Sequence, residues 1–87
     1  MTEDIKIRRK RLRYRSRYTG MKETDLLLGG FAERYLPAFD DAQLDQFEHI
    51  LGAGDGRILD WIMGREAVPA TYGGAVMDLL LNFKIET

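Results

Sequence analysis

Glycine and proline interrupt the sequence at short intervals. Both residue types disfavour a helix interior, so they limit each helix to about four turns. The intervening segments show the apolar spacing of amphipathic helices and lack the alternation typical of strands. The sequence therefore predicts an all-α fold, a compact bundle of about five short helices. The interruptions are Thr19-Gly20, Pro37, Gly52-Ala53-Gly54, Gly64 and Pro69.

The length of the chain restricts it to one domain. Eighty-seven residues are too few for a doubly wound nucleotide-binding fold or a TIM barrel. A hydrophobic content of 45% with 31% charged residues is typical of a globular protein and not of a disordered one. We expect a single helical domain over residues 1–87, with residues 1–6 as a flexible start.

The positions of the helices follow from the same pattern. We expect helices over residues 5–18, about 21–36 and about 74–84. A third is expected between its caps Asp40-Asp41 and the stop at Gly52-Ala53-Gly54, and a short fourth between Asp55 and Gly64. Asp40 and Gln43 have the spacing of a capping box before the third helix, and Asp55 is expected to cap the fourth. In the fourth helix, Trp61 is expected at the edge of the inward face. That face is predicted to contain Ile58, Leu59, Ile62 and Met63.

Charge is strongly segregated along the chain. Residues 1–18 contain eight basic and two acidic residues, a net charge of +6, whereas residues 19–87 contain five basic and twelve acidic residues, a net charge of −7. The basic segment could bind nucleic-acid phosphates, an acidic protein or the domain's own carboxylates. Because the acidic remainder would repel a polyanion over a broad footprint, nucleic acid is the less favoured of these ligands.

The residues needed for most catalytic sites are missing from the sequence. It has no cysteine, one serine (Ser16) and one histidine (His49), which excludes a catalytic triad and a cysteine- or histidine-rich metal site. Gly52, Gly54 and Gly56 lack the Lys-Ser or Lys-Thr pair of a phosphate-binding loop, so we interpret them as a helix stop and a turn. We expect no catalytic, cofactor-binding or metal site, and no membrane span.

Gly29 and Gly30 form an unusual pair inside the second predicted helix. Each glycine costs a helix about 1 kcal/mol relative to alanine. One explanation is that a partner's backbone approaches there, on the side of the helix that Glu23 shares with Gly30 seven residues later. The other is that the basic helix packs closely against these glycines.

The order of motifs along residues 8–84 resembles the succinate dehydrogenase FAD-assembly factors. It consists of the basic run Arg8–Arg17, then Gly20-Met21-Lys22-Glu23, then Phe31-Ala32, and finally the segment from Asp55 to Trp61. The signature of that family is R-G-x-x-E. Gly20 and Glu23 match it, whereas Thr19 stands where the family usually has arginine.

This resemblance implies a protein without enzymatic activity of its own. It would bind the flavoprotein subunit of succinate dehydrogenase, or of the related fumarate reductase, and promote covalent attachment of FAD to a histidine of that subunit by positioning. It would bind no FAD stably itself, and Asp55 and Trp61 would be structural. We expect a bacterial cytoplasmic location. The alternatives are a nucleic-acid-binding or regulatory protein acting through its basic helix, and an interaction domain without an assembly role. The expected partner-binding residues are Arg13, Arg17, Thr19, Gly20, Met21, Glu23 and Gly30.

Overall fold

The fold was analysed in a computed structural model that describes residues 4–18 and 20–83. Over these residues the chain forms α-helices, two short 3₁₀ turns (Leu36–Ala38 and Ala70–Tyr72) and no strand. A radius of gyration of 12.2 Å matches the roughly 12 Å expected of a compact chain of this length. The predicted all-α bundle is confirmed. The helices are α1 (Ile5–Arg17), α2 (Lys22–Tyr35), α3 (Asp41–Leu51), α4 (Asp55–Ile62) and α5 (Ala75–Asn82).

The helix boundaries lie close to the predicted ones. Residues 1–3 of the expected flexible start, and residue 84 at the expected end of the last helix, lie outside the described residues. Asp4 is the N-cap of α1, where its carboxylate accepts a hydrogen bond from the Lys6 backbone N–H at 2.8 Å. Ile5 and Lys6 therefore belong to the first turn of α1.

The start of α3 confirms the predicted capping box. The Asp40 carboxylate accepts a hydrogen bond from the Gln43 backbone N–H at 2.9 Å, and the Gln43 side chain accepts one from the Asp40 N–H at 2.9 Å. Each side chain satisfies a backbone donor that the first turn of a helix leaves free.

The start of α4 differs from the prediction. The N-cap is Gly54, not Asp55, and its φ of +98° is a conformation that other residues rarely adopt. Asp55 is the first helical residue, and its carboxylate accepts a hydrogen bond from the Gly56 backbone N–H at 3.0 Å. A carboxylate there still interacts favourably with the positive end of the helix dipole.

The inward face of α4 is also rotated from the predicted one. Trp61, expected at the edge, is only 3% exposed and belongs to the core, whereas Met63, expected inside, is 58% exposed. Helix α4 ends at Ile62, so Met63 does not continue the helical spacing inward.

An aromatic cluster that joins side chains of α2, α3 and the residue after α5 lies in the core. The rings of Phe31 and Phe47 stack there with their centroids 5.5 Å apart, and the Phe83 ring meets Phe31 edge-on at 5.7 Å. The burial of these apolar surfaces is the main force that holds the helices together. Phe83 is partly buried. The fully buried residues include Phe31, Phe47, Leu12, Leu28, Leu44, Ile58, Val76 and Leu80.

Candidate partner-binding site

Helix α1 packs against α2 at one of the two adjacent glycines. A β-carbon placed on Gly29 would lie 3.1 Å from Cγ of Arg17, so the glycine permits this approach. Gly30 has a different neighbour, because a β-carbon there would lie 3.4 Å from Cζ of Phe83. Close packing of the basic helix therefore accounts for Gly29, whereas Gly30 faces the residue that follows α5.

The inner edge of α1 is bound to α3 by ion pairs. The Arg8 guanidinium contacts the carboxylates of Asp45 and, at 3.0 Å, Glu48, and that of Arg11 reaches Glu48 at 3.2 Å. Hydrogen bonds from Arg11 and then Arg8 hold the pKa of Glu48 below its ordinary value, against the opposing effect of burial. The hydrogen bond that the Arg8 guanidinium donates to Asp45 raises the pKa of Arg8 above its ordinary value. Part of the basic helix thus pairs with the domain's own acids.

Arg13 and Arg17, two of the expected partner-binding residues, differ in their surroundings. The Arg17 guanidinium forms an ion pair with Glu33 on α2. Arg13 is exposed and forms no ion pair with any residue that the structure describes. Arg13 is therefore the more available of the two for a partner's carboxylate.

The turn between α1 and α2 contains Gly20, whose φ is +107°. A β-carbon on this residue would lie 3.5 Å from a carboxylate oxygen of Asp55. The signature glycine and the start of α4 are therefore neighbours in space, a relationship that the sequence did not predict. Thr19 lies outside the described residues.

Met21 and Glu23 line an open, largely apolar groove of about 690 Å³. The groove is formed by α2, by the end of α4 and by the end of α5. Leu26 and Met63 are each 58% exposed and Leu81 is 39% exposed. These exposed side chains form one patch, which is unusual for a surface that stays in water. The lining residues are Met21, Glu23, Leu26, Leu27, Leu59, Ile62, Met63, Arg65, Leu81 and Phe83.

Sequence reasoning missed this groove, although a signal for it is present. Leu26 comes three residues after Glu23, so helical spacing places the two side chains on the same side of the second helix. An exposed leucine beside Glu23 could have indicated a contact surface, but the opposite wall comes from α4 and α5. Their approach to α2 is a tertiary feature that helical spacing does not reveal.

The histidine and carboxylate side chains of the described residues do not form a metal site. Across residues 4–18 and 20–83, no group of three or more histidine or carboxylate side chains is placed to hold a metal ion. His49 is exposed on α3 and stacks on Tyr72 with ring centroids 4.6 Å apart. None of the helices in the described ranges has the length and hydropathy required to cross a membrane.

Fold and site together define a class of protein, a small helical bundle with an exposed apolar groove, an exposed carboxylate beside it and a cationic helix. A family model described as "Flavinator of succinate dehydrogenase" matches residues 10–84. The chain belongs to this family, as its motif order suggested.

Individual relatives agree with the family match. "Succinate dehydrogenase assembly factor 2, mitochondrial" of Danio rerio is 39% identical over 83 residues, covering 93% of this chain and 52% of that protein. The protein of the same name from Schizosaccharomyces japonicus is 40% identical over 67 residues, 77% of this chain and 47% of the relative. "FAD assembly factor SdhE" of Acetobacter pasteurianus is 36% identical over 67 residues, 77% of this chain and 62% of the relative. The chain spans about half the length of the curated relatives it matches.

Proposed function

We propose that this chain is an assembly factor that binds the flavoprotein subunit of succinate dehydrogenase and promotes covalent attachment of FAD to it. The observation that carries the proposal is the position of the signature residues. Gly20 lies in the turn before α2, and Met21 and Glu23 line an exposed apolar groove. The names of the family and of the relatives refer to flavinylation or assembly of succinate dehydrogenase and to FAD assembly.

The chain acts by positioning and not by supplying a reactive group. Covalent flavinylation joins a histidine of the flavoprotein to its FAD, and the flavin supplies the reactivity. What a binding partner contributes is alignment of the two reacting groups, which lowers the entropic cost of reaching the transition state. An exposed groove with apolar walls favours such a contact, because it offers area to bury on binding.

The contact surface includes the expected residues that remain available for a partner. Glu23 is exposed and accepts no hydrogen bond from any residue that the structure describes, and Arg13 is likewise unpaired. We include Gly20, Met21, Arg17, Thr19 and Gly30 as predicted contact residues, with Asp55 and Trp61 as structural support. The chain itself binds no FAD stably in this proposal, and acts on the FAD of its partner.

Two finer points belong to the same proposal. The related fumarate reductase flavoprotein is a second substrate, because the histidine and FAD to be joined are of the same chemical kind. The chain functions in a bacterial cytoplasm, which is supported by the Acetobacter relative, although other relatives carry mitochondrial names.

Nucleic-acid binding through the basic helix is less well supported. Arg8, Arg11 and Arg17 are paired with carboxylates of α2 and α3. A nucleic acid would have to compete with these carboxylates for the same guanidinium groups and approach a domain that is acidic elsewhere.

The proposal is tested by expressing the flavoprotein subunit with and without this chain. Covalent flavin is read as fluorescence of the subunit on a denaturing gel. Glu23→Gln should lower the signal several-fold, whereas the matched control Asp78→Asn, on the exposed strip of α5, should leave it unchanged. An equal signal with and without the wild-type chain would overturn the proposal.

A further inference from the structure

A stripe of exposed apolar and aromatic side chains runs along the outer face of α1 and continues to Tyr18, the residue that caps the helix C-terminus. Ile7 is 59% exposed, and Tyr14 and Tyr18 are each 67% exposed. Their spacing of seven and four residues places them on one side of the helix. In the part of the chain that the structure describes, all large exposed hydrophobic residues lie either on this stripe or at the groove beside Glu23.

The two tyrosines form a pair and are flanked by cations. Their ring centroids are 4.6 Å apart, so the pair presents one continuous aromatic surface. Lys10 and Arg13 border the same face, and neither forms an ion pair with a described residue. Tyrosine and arginine are the residue types enriched at the energetic centres of protein interfaces.

We propose that this outer face, formed by Ile7, Lys10, Arg13, Tyr14 and Tyr18, binds an acidic surface segment of the flavoprotein subunit. The identity of that partner rests on the proposed function. The tyrosine pair supplies buried contact area, and Lys10 and Arg13 pair with carboxylates of the segment. Charge complementarity selects an acidic occupant, because among the residues that the structure describes this face carries unpaired cations and no carboxylate.

The charges around this face favour an acidic protein over a nucleic acid. Glu48 lies along one side of this face and forms an ion pair with Arg11. Glu33 lies along the opposite side and forms an ion pair with Arg17. A continuous phosphate backbone would meet these carboxylates on either side of a narrow cationic stripe. A short acidic segment of a folded protein can contact the stripe and avoid both flanks.

The test measures the affinity of the purified flavoprotein subunit for this chain by titration calorimetry at low and high salt. The double variant Tyr14→Ala/Tyr18→Ala should bind about tenfold more weakly at both salt concentrations, because it removes contact area. Lys10→Ser should weaken binding mainly at low salt and flatten the salt dependence, because it removes one charge pair.

Two matched controls separate this face from general effects. Thr71→Glu changes the net charge by the same amount as Lys10→Ser, but on the exposed 3₁₀ turn before α5, and should leave affinity and salt dependence close to wild type. Tyr14→Phe/Tyr18→Phe keeps both rings and should retain most of the affinity. Circular dichroism of each variant checks that the helices are intact; if the double alanine variant does not fold, Lys10→Ser and its salt dependence decide the question.

The possible outcomes distinguish this inference from the proposed function. If the wild-type chain binds and promotes flavinylation but the α1 variants bind equally well, the outer face is not the contact and only this inference fails. If the wild-type chain does not bind the flavoprotein, both fail. Tight binding of a short single-stranded oligonucleotide, lost in Lys10→Ser while flavoprotein affinity is unchanged, would overturn the inference in favour of a nucleic-acid surface.

Discussion

The side chain of Arg17 lies across the α-carbon of Gly29, where any β-carbon would come within 3.1 Å of its Cγ. This contact sets how closely α1 approaches α2. The Arg17 guanidinium also pairs with Glu33, so the side chain that occupies this space is held at its far end as well. The start of the turn that carries Gly20 is thereby fixed against α2.

The adjacent glycines should respond differently to alanine. Either alanine substitution gains about 1 kcal/mol of helix propensity. A methyl group on Gly29 displaces the Arg17 side chain, whereas a methyl group on Gly30 makes an ordinary contact with Phe83 at 3.4 Å. We expect Gly30→Ala to be more stable than Gly29→Ala by about 1–2 kcal/mol in urea unfolding. Equal stabilities would show that the Arg17 contact imposes no constraint.

Acid should weaken the attachment of α1 to α3 through Glu48. The pKa of Glu48 is held below its ordinary value of 4.5, so the unfolded chain takes up this proton at a higher pH than the folded chain. The stabilisation is complete well above pH 4.5 and is lost as the pH falls through the lower, folded value. Glu48→Gln should cost about 1 kcal/mol at neutral pH, and its stability should converge on that of wild type in acid. A constant difference across unfolding curves at neutral and acidic pH would contradict this assignment.

Polar substitutions in the groove should reduce partner binding without unfolding the domain. Leu26 and Met63 are both largely exposed and lie on different elements, so Leu26→Gln or Met63→Gln should change stability by less than about 0.5 kcal/mol. Each should weaken flavoprotein binding roughly tenfold in the calorimetric titration, if burial of the groove drives association. Unchanged affinity in both variants would exclude the groove from the interface.

Trp61 and Asp55 should differ in their contribution to stability. Trp61 is fully packed in the core, so Trp61→Ala should cost about 3–5 kcal/mol through the cavity it leaves. Asp55→Ala removes a favourable charge at the start of α4 and should cost about 1 kcal/mol or less. Thermal unfolding of the two variants measures both effects, and a large loss for Asp55→Ala would indicate a further structural contact.

Restoring the family signature at Thr19 should improve activity. The family resemblance places arginine at this position, and Thr19→Arg adds a cation next to Gly20. We expect more covalent flavin in the coexpression assay, with Thr19→Gln as the control for side-chain length without charge. No increase over the control would contradict a contribution of the arginine charge at this position.

The parts of the fold that depend on residues close together in the sequence were predictable. The capping box of Asp40 and Gln43 and the helix stop after Leu51 follow from local backbone chemistry. The N-cap at Gly54 was not predicted, because aspartate is the more common N-cap residue. Glycine is favoured there by a positive φ, which only the structure shows. The proximity of Gly20 to Asp55 and the groove beside Glu23 were missed because they depend on how helices distant in sequence pack together.

Helix α1 buries only Leu12 and Ser16. Its other contacts with α2 and α3 include ion pairs, which are weakened by salt. Its backbone amides should therefore exchange with solvent through local opening at a lower free energy than those of α2 and α3, whose buried faces form the core. Such opening would release the turn that carries Gly20 while leaving the rest of the bundle folded. The helix that presents the tyrosine stripe is thus expected to open more easily than α2 and α3, so binding of a partner to it would be measurable as protection from exchange.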